Sequence, residues 1–345
     1  MNILIIYNLK RKNFPPGIPR DFYSEFDSYK TVQAIANALK EKRHRVMLKE
    51  ANIELLGYLT KHRRKIDFVF NIAEGINGFP GRESQIPAIL DFLKIPYTGS
   101  NVLTMAIALD KFYTKKLCLT EKIPTPKFQF FLTGKERLDS TLQFPLIVKP
   151  NAEGSAKGIT RDSVVYNKRS LYGQIEKVIR DYKQPALVEE FIEGKEITVG
   201  ILGNGSPTLF PLLEIDFSSC RGSGEFFYSW RMKEFQGDKI QHLTPTFYCP
   251  ARIKEEVAKK ISELALRVYK VMGCFDFCRI DFRVDRKNNP YFLEINPLPG
   301  LDPEESNFPL MARSAGISYS DLINKILESA IKRVNGKLKK GGRFS

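Results

Sequence analysis

The segment 278–300 constrains this chain more than any other, because its alternating pattern predicts a β-hairpin whose polar groups converge. The two strands are expected on either side of a turn at 285–290. Alternation places Arg279, Asp281 and Arg283 on one face of the first strand, and Ile280, Phe282 and Val284 on the other. Glu294 and Asn296 share a face of the second strand. Cross-strand pairing can therefore bring two carboxylates and an amide together beside a guanidinium.

Asp281, Glu294 and Asn296 would offer the oxygen ligands that a hard cation such as Mg2+ takes, with room left for phosphate oxygens. Arg279 lies on the same face, and a guanidinium suits anionic oxygens that gain charge during a reaction. A polar hairpin with surface ion pairs is the alternative interpretation. We favour the metal site because the run Phe-Leu-Glu-Ile-Asn sets its polar groups among apolar residues that draw them inward.

Length and composition indicate a soluble chain of several domains. Its 345 residues suffice for two or three domains with buried cores. With 43% hydrophobic and 27% charged residues, and no run of about 18 apolar residues, we expect a globular protein without a membrane span. The five cysteines are an odd number and lie mostly in apolar segments, which indicates free thiols in a reducing cytoplasm. Cys274 and Cys278 lack partners at zinc spacing, so no metal is assigned to them.

The net charge of +15 allows two interpretations. A basic chain can bind nucleic acid, but six of these charges follow Ile331, which leaves +9 on the rest of the chain. Elsewhere lysine is interspersed with glutamate, with no dense basic stripe and no nucleic-acid-binding motif. A positive balance also suits a protein that attracts phosphates and carboxylates. We favour this second interpretation, expect no nucleic-acid partner, and expect the chain beyond Val334 to fray.

The first 99 residues alternate strands with helices. Apolar runs predict strands at 3–7, 46–48 and 67–72, with one helix between the first two. Such alternation is typical of parallel pairing, so we expect a doubly wound N-terminal domain. Further along, the pattern predicts one helix at 101–121, a strand at 209–215, a mobile lid at 218–237, a helix at 253–272 and closing helices over 310–334.

Lys149 ends an apolar strand and precedes a run of small residues that includes Gly154, Ser155 and Gly158. The lysine is a fixed positive charge, and the small residues leave backbone N–H groups free to surround phosphate oxygens. The chain contains no Walker A or G-x-G-x-x-G run, and a glycine loop alone is a weak signal. Combined with the hairpin it becomes strong, because the two segments supply opposite ends of one nucleotide site.

The run Arg-Ile-Asp, followed by Leu-Glu-Ile-Asn-Pro and Pro-Gly, resembles the metal end of ATP-grasp carboxylate–amine ligases, most closely the D-alanine–D-alanine ligase family. Matching landmarks extend from about residue 66 to 330. The resemblance implies an α/β, three-domain ATP-grasp fold. It divides the chain into a doubly wound N-terminal domain at 1–99, a central domain at 100–205, a C-terminal domain with the metal site at 206–334, and a basic tail at 335–345.

The resemblance also implies roles for the residues that match its motifs. The ATP contacts would come from Lys111, Lys149, Glu153, Gly154, Glu189, Phe191, Ile192 and Glu196. Of these, Lys149 would hold the α- and β-phosphates, Glu189 would accept from the adenine amino group, and Glu196 would hold the ribose hydroxyls. The implied catalytic groups are Arg279, Ser155 and Lys233. The implied substrate contacts are Glu74, Gly300 and Ser306, and the implied metal ligands are Asp281, Glu294 and Asn296.

Three positions depart from the family pattern. Glu74 stands where the family carries a histidine, and Glu234 where it commonly has a tyrosine bonded to the phosphate-loop serine and to an N-terminal glutamate. Glu25 is the candidate for that glutamate. The acidic segment 302–305 replaces the acceptor-binding loop, where it would complement a helix dipole or favour an acceptor with an extra amine. These differences concern the substrates and the lid rather than the nucleotide.

The activity that the resemblance implies is ATP- and Mg2+-dependent joining of two amino acids, with Mn2+ able to replace Mg2+. One carboxylate would attack the γ-phosphate to give an acylphosphate, and the amine of a second amino acid would displace phosphate. The resemblance further implies a cytoplasmic homodimer that acts on small molecules in peptidoglycan (cell-wall) synthesis, with no membrane partner. A paralogous ligase for other amino-acid or carrier-bound substrates and a catalytically silent nucleotide-binding regulator remain as alternatives.

Overall fold

The computed structural model describes residues 1–11, 19–76, 78, 80–235 and 242–340, with side chains described as far as 336. The end of the predicted lid, at 236–237, and the last five residues of the predicted basic tail lie outside the described residues. In the part of the chain that is described, no helix is long and apolar enough to cross a membrane.

The helices and strands within these residues are as follows. The helices are α1 (Tyr29–Glu41), α2 (Leu55–His62), α3 (Gln85–Phe92), α4 (Val102–Leu109), α5 (Lys111–Thr120), α6 (Lys168–Tyr182), α7 (Trp230–Glu234), α8 (Glu255–Val271), α9 (Asn307–Ser314) and α10 (Tyr319–Lys340). The strands are β1 (Asn2–Tyr7), β2 (Arg45–Glu50), β3 (Phe68–Asn71), β4 (Phe128–Phe131), β5 (Leu146–Pro150), β6 (Val164–Val165), β7 (Ala186–Glu190), β8 (Gly194–Leu202), β9 (Thr208–Leu209), β10 (Leu213–Asp216), β11 (Thr246–Tyr248), β12 (Phe277–Asp285) and β13 (Pro290–Asn296).

The N-terminal sheet has the order β2-β1-β3, and both pairings are parallel. Successive residues of β1 point to opposite faces, so Ile3 and Ile5 pack with α1 and α10 while Leu4 and Ile6 pack with α2 and α3. Helices therefore cover both faces of a buried parallel sheet. The predicted doubly wound arrangement is confirmed.

Two antiparallel sheets follow. The second has the order β4-β7-β5-β6 and packs against α6, while the third has the order β11-β10-β8-β12-β13 with β9 beside β8. The apolar face of α8 (Val257, Ile261, Leu264 and Val268) covers the third sheet together with residues of α4 and α5. Strand β8 thus belongs to the third sheet, although the predicted domain limit at residue 205 would group it with the second.

Three predicted elements differ from the structure. The helix expected over 101–121 is broken at Asp110, whose extended backbone and side-chain acceptance from the Tyr113 N–H cap a new helix, α5. The strand expected at 209–215 is interrupted between β9 and β10. Helix α10 continues to Lys340, past the point at Val334 where we expected fraying. The first break lies directly before Lys111, whose Nζ contacts the Glu153 carbonyl oxygen and Glu294 of β13.

A buried ion pair joins the ends of the fold. The Asp276 carboxylate, fully buried, accepts from Arg333 of α10 at 2.7 Å and from the Gly99 N–H at 2.9 Å. Arg333 also donates to the Tyr97 carbonyl oxygen at 2.8 Å. Arg333, one of the six basic residues after Ile331, therefore helps to hold the N-terminal domain to the third sheet.

The five cysteines are free, as predicted, and all but Cys249 are buried. Burial raises the pKa of the Cys278 and Cys118 thiols, the latter to about 12. Both thiols pack in the apolar core of the third sheet.

Candidate active site

The predicted hairpin is confirmed, with β12 and β13 antiparallel and a turn between Asp285 and Pro290. Asp281 pairs directly with Glu294, and Arg279 pairs with Asn296. A β-bulge follows this point, where Leu293 has no counterpart between Asp281 and Phe282. The two carboxylates, the amide and the guanidinium therefore share one face, as the alternation predicted.

Each charged group of this face already has a partner. The Arg279 guanidinium donates to Asp281 Oδ2 over 2.9 Å, and the Thr198 hydroxyl donates to the other carboxylate oxygen. Lys111 Nζ lies 3.3 Å from Glu294 Oε2. Burial opposes ionisation of Glu294, but Lys111, Lys149 and Lys233 outweigh it and lower the pKa of its carboxyl to about 2. Glu294 is therefore ionised at neutral pH.

Asp281, Glu294 and Asn296 fit a hard divalent cation by their chemistry. Two carboxylates and an amide oxygen are available side by side, and the Asn296 Oδ1 atom is oriented by accepting from the Leu298 N–H at 2.9 Å. The cationic groups Lys111 and Arg279 now neutralise the carboxylates and would share them with a bound metal.

Five of the eight predicted nucleotide residues line a cavity between the second and third sheets, whereas Lys111, Glu153 and Gly154 do not line it. Its walls include Lys149, Glu189, Phe191, Ile192 and Glu196, and it also contacts the hairpin face. The cavity has a volume of about 90 Å³, less than the usual range of ligand pockets. Three residues of the predicted lid, Phe227, Tyr228 and Lys233, close one side of it.

Lys149 and Lys115 both form ion pairs with the carboxylate of Glu189, which lines this cavity. Lys149 Nζ lies 2.9 Å from Glu189 Oε2, and Lys115 Nζ lies 3.1 Å from Glu189 Oε1. Burial opposes the charge of Glu189, but the two lysines lower the pKa of its carboxyl. Apart from the ion pair with Lys115, the buried Oε1 atom has no hydrogen-bond partner among the described residues, and a carboxylate oxygen can accept more than one donor. An amino group such as that of adenine suits it.

The sequence analysis did not single out Lys115 or Arg283. Lys115 is completely buried, and burial lowers the pKa of its ammonium to about 8 despite the attraction of Glu189. Arg283 is almost completely buried and donates to the Ile192 carbonyl oxygen at 3.0 Å and to Glu196 Oε2 at 3.1 Å. Only the spacing of these residues in the sequence could have indicated that they belong to the site. Lys115 lies one helical turn after Lys111, and Arg283 continues the polar face of β12.

The phosphate loop, which is the run 153–158 after Lys149, folds in an unusual backbone conformation. Ser155 and Ala156 both have positive φ, at 48° and 56°, which non-glycine residues rarely adopt. A Cβ at Gly154 would lie 2.6 Å from Glu25 Oε1, so a side chain at this position would displace the Glu25 carboxylate. The Gly154 N–H donates to that same oxygen at 2.6 Å. Lys111 Nζ donates to the Glu153 carbonyl oxygen, which joins the loop to the start of α5.

Glu25, the candidate N-terminal glutamate, therefore contacts the phosphate loop. Its Oε2 atom accepts from Lys157 at 3.0 Å and from Arg82 at 2.5 Å. Arg82 and Lys157 also pair with Glu153. Despite burial, these cations lower the pKa of the Glu25 carboxyl to about 2. Arg82 was not predicted as a site residue.

A larger cavity of about 470 Å³ adjoins the hairpin face. Its lining includes the predicted residues Glu74, Ser155, Lys233, Arg279, Asn296, Gly300 and Ser306. A side chain at Gly300 would collide with Ser306, since an added Cβ would lie 2.8 Å from its Oγ. Ser306 Oγ accepts from the Asp302 N–H at 3.1 Å, which orients the hydroxyl toward this turn.

The lid segment is docked onto the N-terminal domain. Trp230 Nε1 donates to Ser24 Oγ at 2.7 Å, and Glu234 pairs with Lys10 at 2.8 Å. Lys233 Nζ lies 4.9 Å from the centre of the Tyr228 ring. Burial, followed by the charge of Arg279, lowers the pKa of the Lys233 ammonium. Glu234, which stands where the family commonly has a tyrosine, therefore contacts a lysine of the N-terminal domain.

A nucleotide cavity between two antiparallel sheets, a glycine-bearing phosphate loop and a carboxylate face beside an arginine define an ATP-grasp ligase. The family model described as "D-ala D-ala ligase C-terminus" matches residues 118–328. The chain therefore belongs to the D-alanine–D-alanine ligase family. As a member of it, the chain is an ATP-dependent ligase that joins two amino acids.

Relatives and solved structures cover nearly the whole chain. A D-alanine–D-alanine ligase of Pelotomaculum thermopropionicum is 35% identical over 316 residues, which span 88% of this chain and 92% of the relative. The ligase of Carboxydothermus hydrogenoformans is 39% identical over 309 residues, spanning 87% and 92%. The crystal structure of D-alanine–D-alanine ligase from Bacillus anthracis complexed with ATP matches with a TM-score of 0.75 and 25% identity, covering 98% of this chain and 99% of that one. The predicted three-domain ATP-grasp fold is confirmed.

Proposed function

We propose that this ligase joins two D-amino acids, in the manner of a D-alanine–D-alanine ligase, through an acylphosphate intermediate. The observation that carries the proposal is the shared face of β12 and β13, where Asp281 pairs with Glu294 and Arg279 pairs with Asn296. This face lies between the nucleotide cavity and the 470 Å³ cavity, so it adjoins both the phosphates and the amino acids. Phosphoryl transfer needs alignment and charge neutralisation more than covalent help from the protein.

Asp281, Glu294 and Asn296 would hold Mg2+, or Mn2+ in its place, in this proposal. The ion, when bound, supplies neutralisation of the phosphate charge. When ATP binds, the Lys149 ammonium would leave Glu189 and contact phosphate oxygens. Lys111 would keep its hydrogen bond to the Glu153 carbonyl oxygen of the phosphate loop. The buried Glu189 Oε1 atom would accept from the adenine amino group.

Arg279 would serve both chemical steps. Its guanidinium borders both cavities, and it can donate to the transferring phosphoryl group and then to the oxyanion of the tetrahedral intermediate. Burial works against its charge, but Asp281 raises the pKa of Arg279 above its ordinary value, so the group stays cationic throughout. Lys233 and Ser155 border the same cavity and would hold the γ-phosphate and the carboxylate that attacks it.

Nucleotide entry would require movement of the lid. The 90 Å³ cavity is closed by Phe227, Tyr228 and Lys233, and the lid contacts Ser24 through Trp230. Breaking that contact would let the two sheets accept ATP, and re-forming it would exclude water from the acylphosphate.

The test is an ADP-release assay with Mg2+ and D-alanine, with L-alanine and no amino acid as controls, and with the product identified by mass spectrometry. We expect release that depends on Mg2+ and on a D-amino acid, with formation of a dipeptide. ADP release that no amino acid stimulates would contradict the proposal and favour a nucleotide-binding regulator. The Arg279→Ala variant is the matched inactive control.

Location and assembly belong to the same proposal. A cytoplasmic homodimer in peptidoglycan synthesis agrees with ATP use and with the free, mostly buried thiols. Light scattering on the purified chain tests the dimer: a mass of twice 39.5 kDa is expected, and a mass of 39.5 kDa would contradict it.

A further inference from the structure

Asp302 shapes the turn that leads into α9. Its Oδ1 atom accepts from the N–H groups of Glu304 and Glu305, each at 2.9 Å. Its own N–H donates to Ser306 Oγ at 3.1 Å, and its carbonyl oxygen accepts from the Ser306 N–H at 3.3 Å. The conformation of the segment 302–306, here called the acceptor loop, therefore depends largely on this one residue.

Ser306 occupies the N-cap position of α9, but its hydroxyl does not cap the helix. A serine at this position usually accepts from an N–H group of the first helical turn. Here the oxygen accepts from the Asp302 N–H, and in the part of the chain that the structure describes it makes no other hydrogen bond. The hydroxyl hydrogen can therefore donate to a ligand in the 470 Å³ cavity, which Ser306 lines. An anionic carboxylate is a strong acceptor for such a donor.

The other carboxylate oxygen of Asp302 contacts the N-terminal domain. Asp302 Oδ2 accepts from the hydroxyl of Thr31, which lies in the first turn of α1, 271 positions earlier in the chain. Thr31 is 1% exposed. Because its single hydroxyl hydrogen goes to Asp302, its oxygen accepts from the Ser28 hydroxyl at 2.9 Å. Two hydroxyl groups thus connect the acceptor loop to the start of α1.

Asp302 has little capacity left for an additional amine on a substrate. Three donors already contact its two oxygens, and a carboxylate has about four acceptor positions. The Lys30–Glu304 ion pair also joins α1 to the acceptor loop, but its side chains are 66% and 70% exposed, so water competes with it. The hydrogen bond between Thr31 and Asp302 is therefore the contact that fixes the loop.

We propose that Asp302 and Thr31 are positioning residues, which hold Ser306 in place to bind the carboxylate of the second, acceptor amino acid. The inference rests on the proposed function and adds two residues that act through Ser306. The acceptor keeps its carboxylate throughout the reaction, so a fixed donor can orient its amine toward the acylphosphate. Asp302 determines where Ser306 Oγ lies, and Thr31 holds Asp302 from the N-terminal domain.

The first experiment removes one hydroxyl group. Thr31→Val keeps the shape of the side chain and loses the donor, whereas Thr31→Ser keeps the donor. Rates of dipeptide formation over a range of D-alanine concentrations contain one constant for each amino acid. Thr31→Val should raise the acceptor constant about fivefold to tenfold, with an unchanged donor constant and an unchanged KM for ATP. Thr31→Ser should show wild-type values.

Hydroxylamine assigns the two constants. In excess it replaces the acceptor: its nitrogen bonds to the acyl carbon, phosphate leaves, and the rate of hydroxamate formation reports the donor constant alone. Asp302→Ala, which removes all three side-chain contacts, should raise the acceptor constant more than Thr31→Val does. Thr60→Val, at an exposed position of α2, is the matched control and should behave as wild type. An unchanged acceptor constant in Thr31→Val, or an equal rise of both constants, would overturn the inference.

A second measurement does not depend on activity. Amide hydrogen exchange of peptides that cover 302–306 should accelerate in Thr31→Val, because the Glu304 and Glu305 N–H groups donate to Asp302. Exchange in Thr60→Val should match the wild type. Unchanged exchange in Thr31→Val would overturn the inference with or without turnover. A wild type that forms no dipeptide from D-alanine would instead contradict the proposed function, and the exchange comparison would still decide whether Thr31 orders the loop.

Discussion

Arg279 and Asp281 form an ion pair along one face of the same strand, with Arg279 Nη2 2.9 Å from Asp281 Oδ2. The arginine that we propose for catalysis is therefore held in position by a proposed metal ligand. This arrangement aims the guanidinium at the junction of the two cavities.

Arg279→Ala should retain ATP binding and lose turnover by about two to three orders of magnitude, because one well-aimed donor is worth about 3 kcal/mol in the barrier. Binding of a fluorescent nucleotide and ADP release measure the two effects separately. Arg286→Ala, in the exposed turn of the same hairpin, is the control and should behave as wild type. Near-normal turnover of Arg279→Ala would refute its role.

The double variant Asp281→Asn/Glu294→Gln should abolish Mg2+-dependent ADP release, because it removes both carboxylates of the proposed metal site. Electron paramagnetic resonance of bound Mn2+ in the presence of ATP provides the direct readout, and the bound signal should disappear. Activity that survives both changes would contradict the metal assignment.

Lys115→Met should raise the KM for ATP by about tenfold with a smaller effect on kcat. Without Lys115, Glu189 has only Lys149 as a cationic partner, and it would hold that lysine away from phosphate. Lys116→Met, at the next and exposed position, is the matched control. An unchanged KM for ATP in Lys115→Met would show that Glu189 does not compete for Lys149.

Arg333→Ala should lower the free energy of unfolding by about 3–5 kcal/mol, because it leaves the Asp276 carboxylate buried and without its cation. Urea unfolding followed by circular dichroism measures the loss. Lys332→Ala, at the preceding position, serves as control. A change below about 1 kcal/mol would indicate that the hydrogen bonds from Gly99 and Asn204 suffice for Asp276.

Asp27 makes stability depend on pH. Burial, with a further contribution from Asp302, raises the pKa of its carboxyl to about 8 from 3.8. The folded state therefore binds a proton that the unfolded state releases, so the stabilising contribution is present below about pH 4 and is lost as the pH rises toward 8. Asp27→Asn should reduce the fall in Tm between pH 5 and pH 8, measured by thermal unfolding. Asp162→Asn, at an exposed position, should leave that fall unchanged. A fall of wild-type size in Asp27→Asn would contradict the assignment.

Local pattern was sufficient wherever a residue's role depends on its near neighbours in the chain. The alternation in 277–296 predicts both the hairpin and the face shared by Asp281 and Glu294, because the side-chain period of a strand is two. Apolar runs predict β1 to β3, and their alternation with helices predicts parallel pairing. The break at Asp110 was missed, since an apolar periodicity continues through it while a single side-chain cap redirects the backbone.

The sequence by itself indicated the class of this protein, because the residues of the hairpin and of the phosphate loop, in their order along the chain, resemble those of the ATP-grasp ligases. Only the tertiary structure decided which distant charges meet. Lys115 reaches Glu189 across 74 positions of sequence, and Glu25 joins Glu74 and Glu83 from a separate segment. The periodicity of a sequence does not predict these contacts, because the pKa, the partners and the charge balance of a buried group depend on all the residues that pack around it.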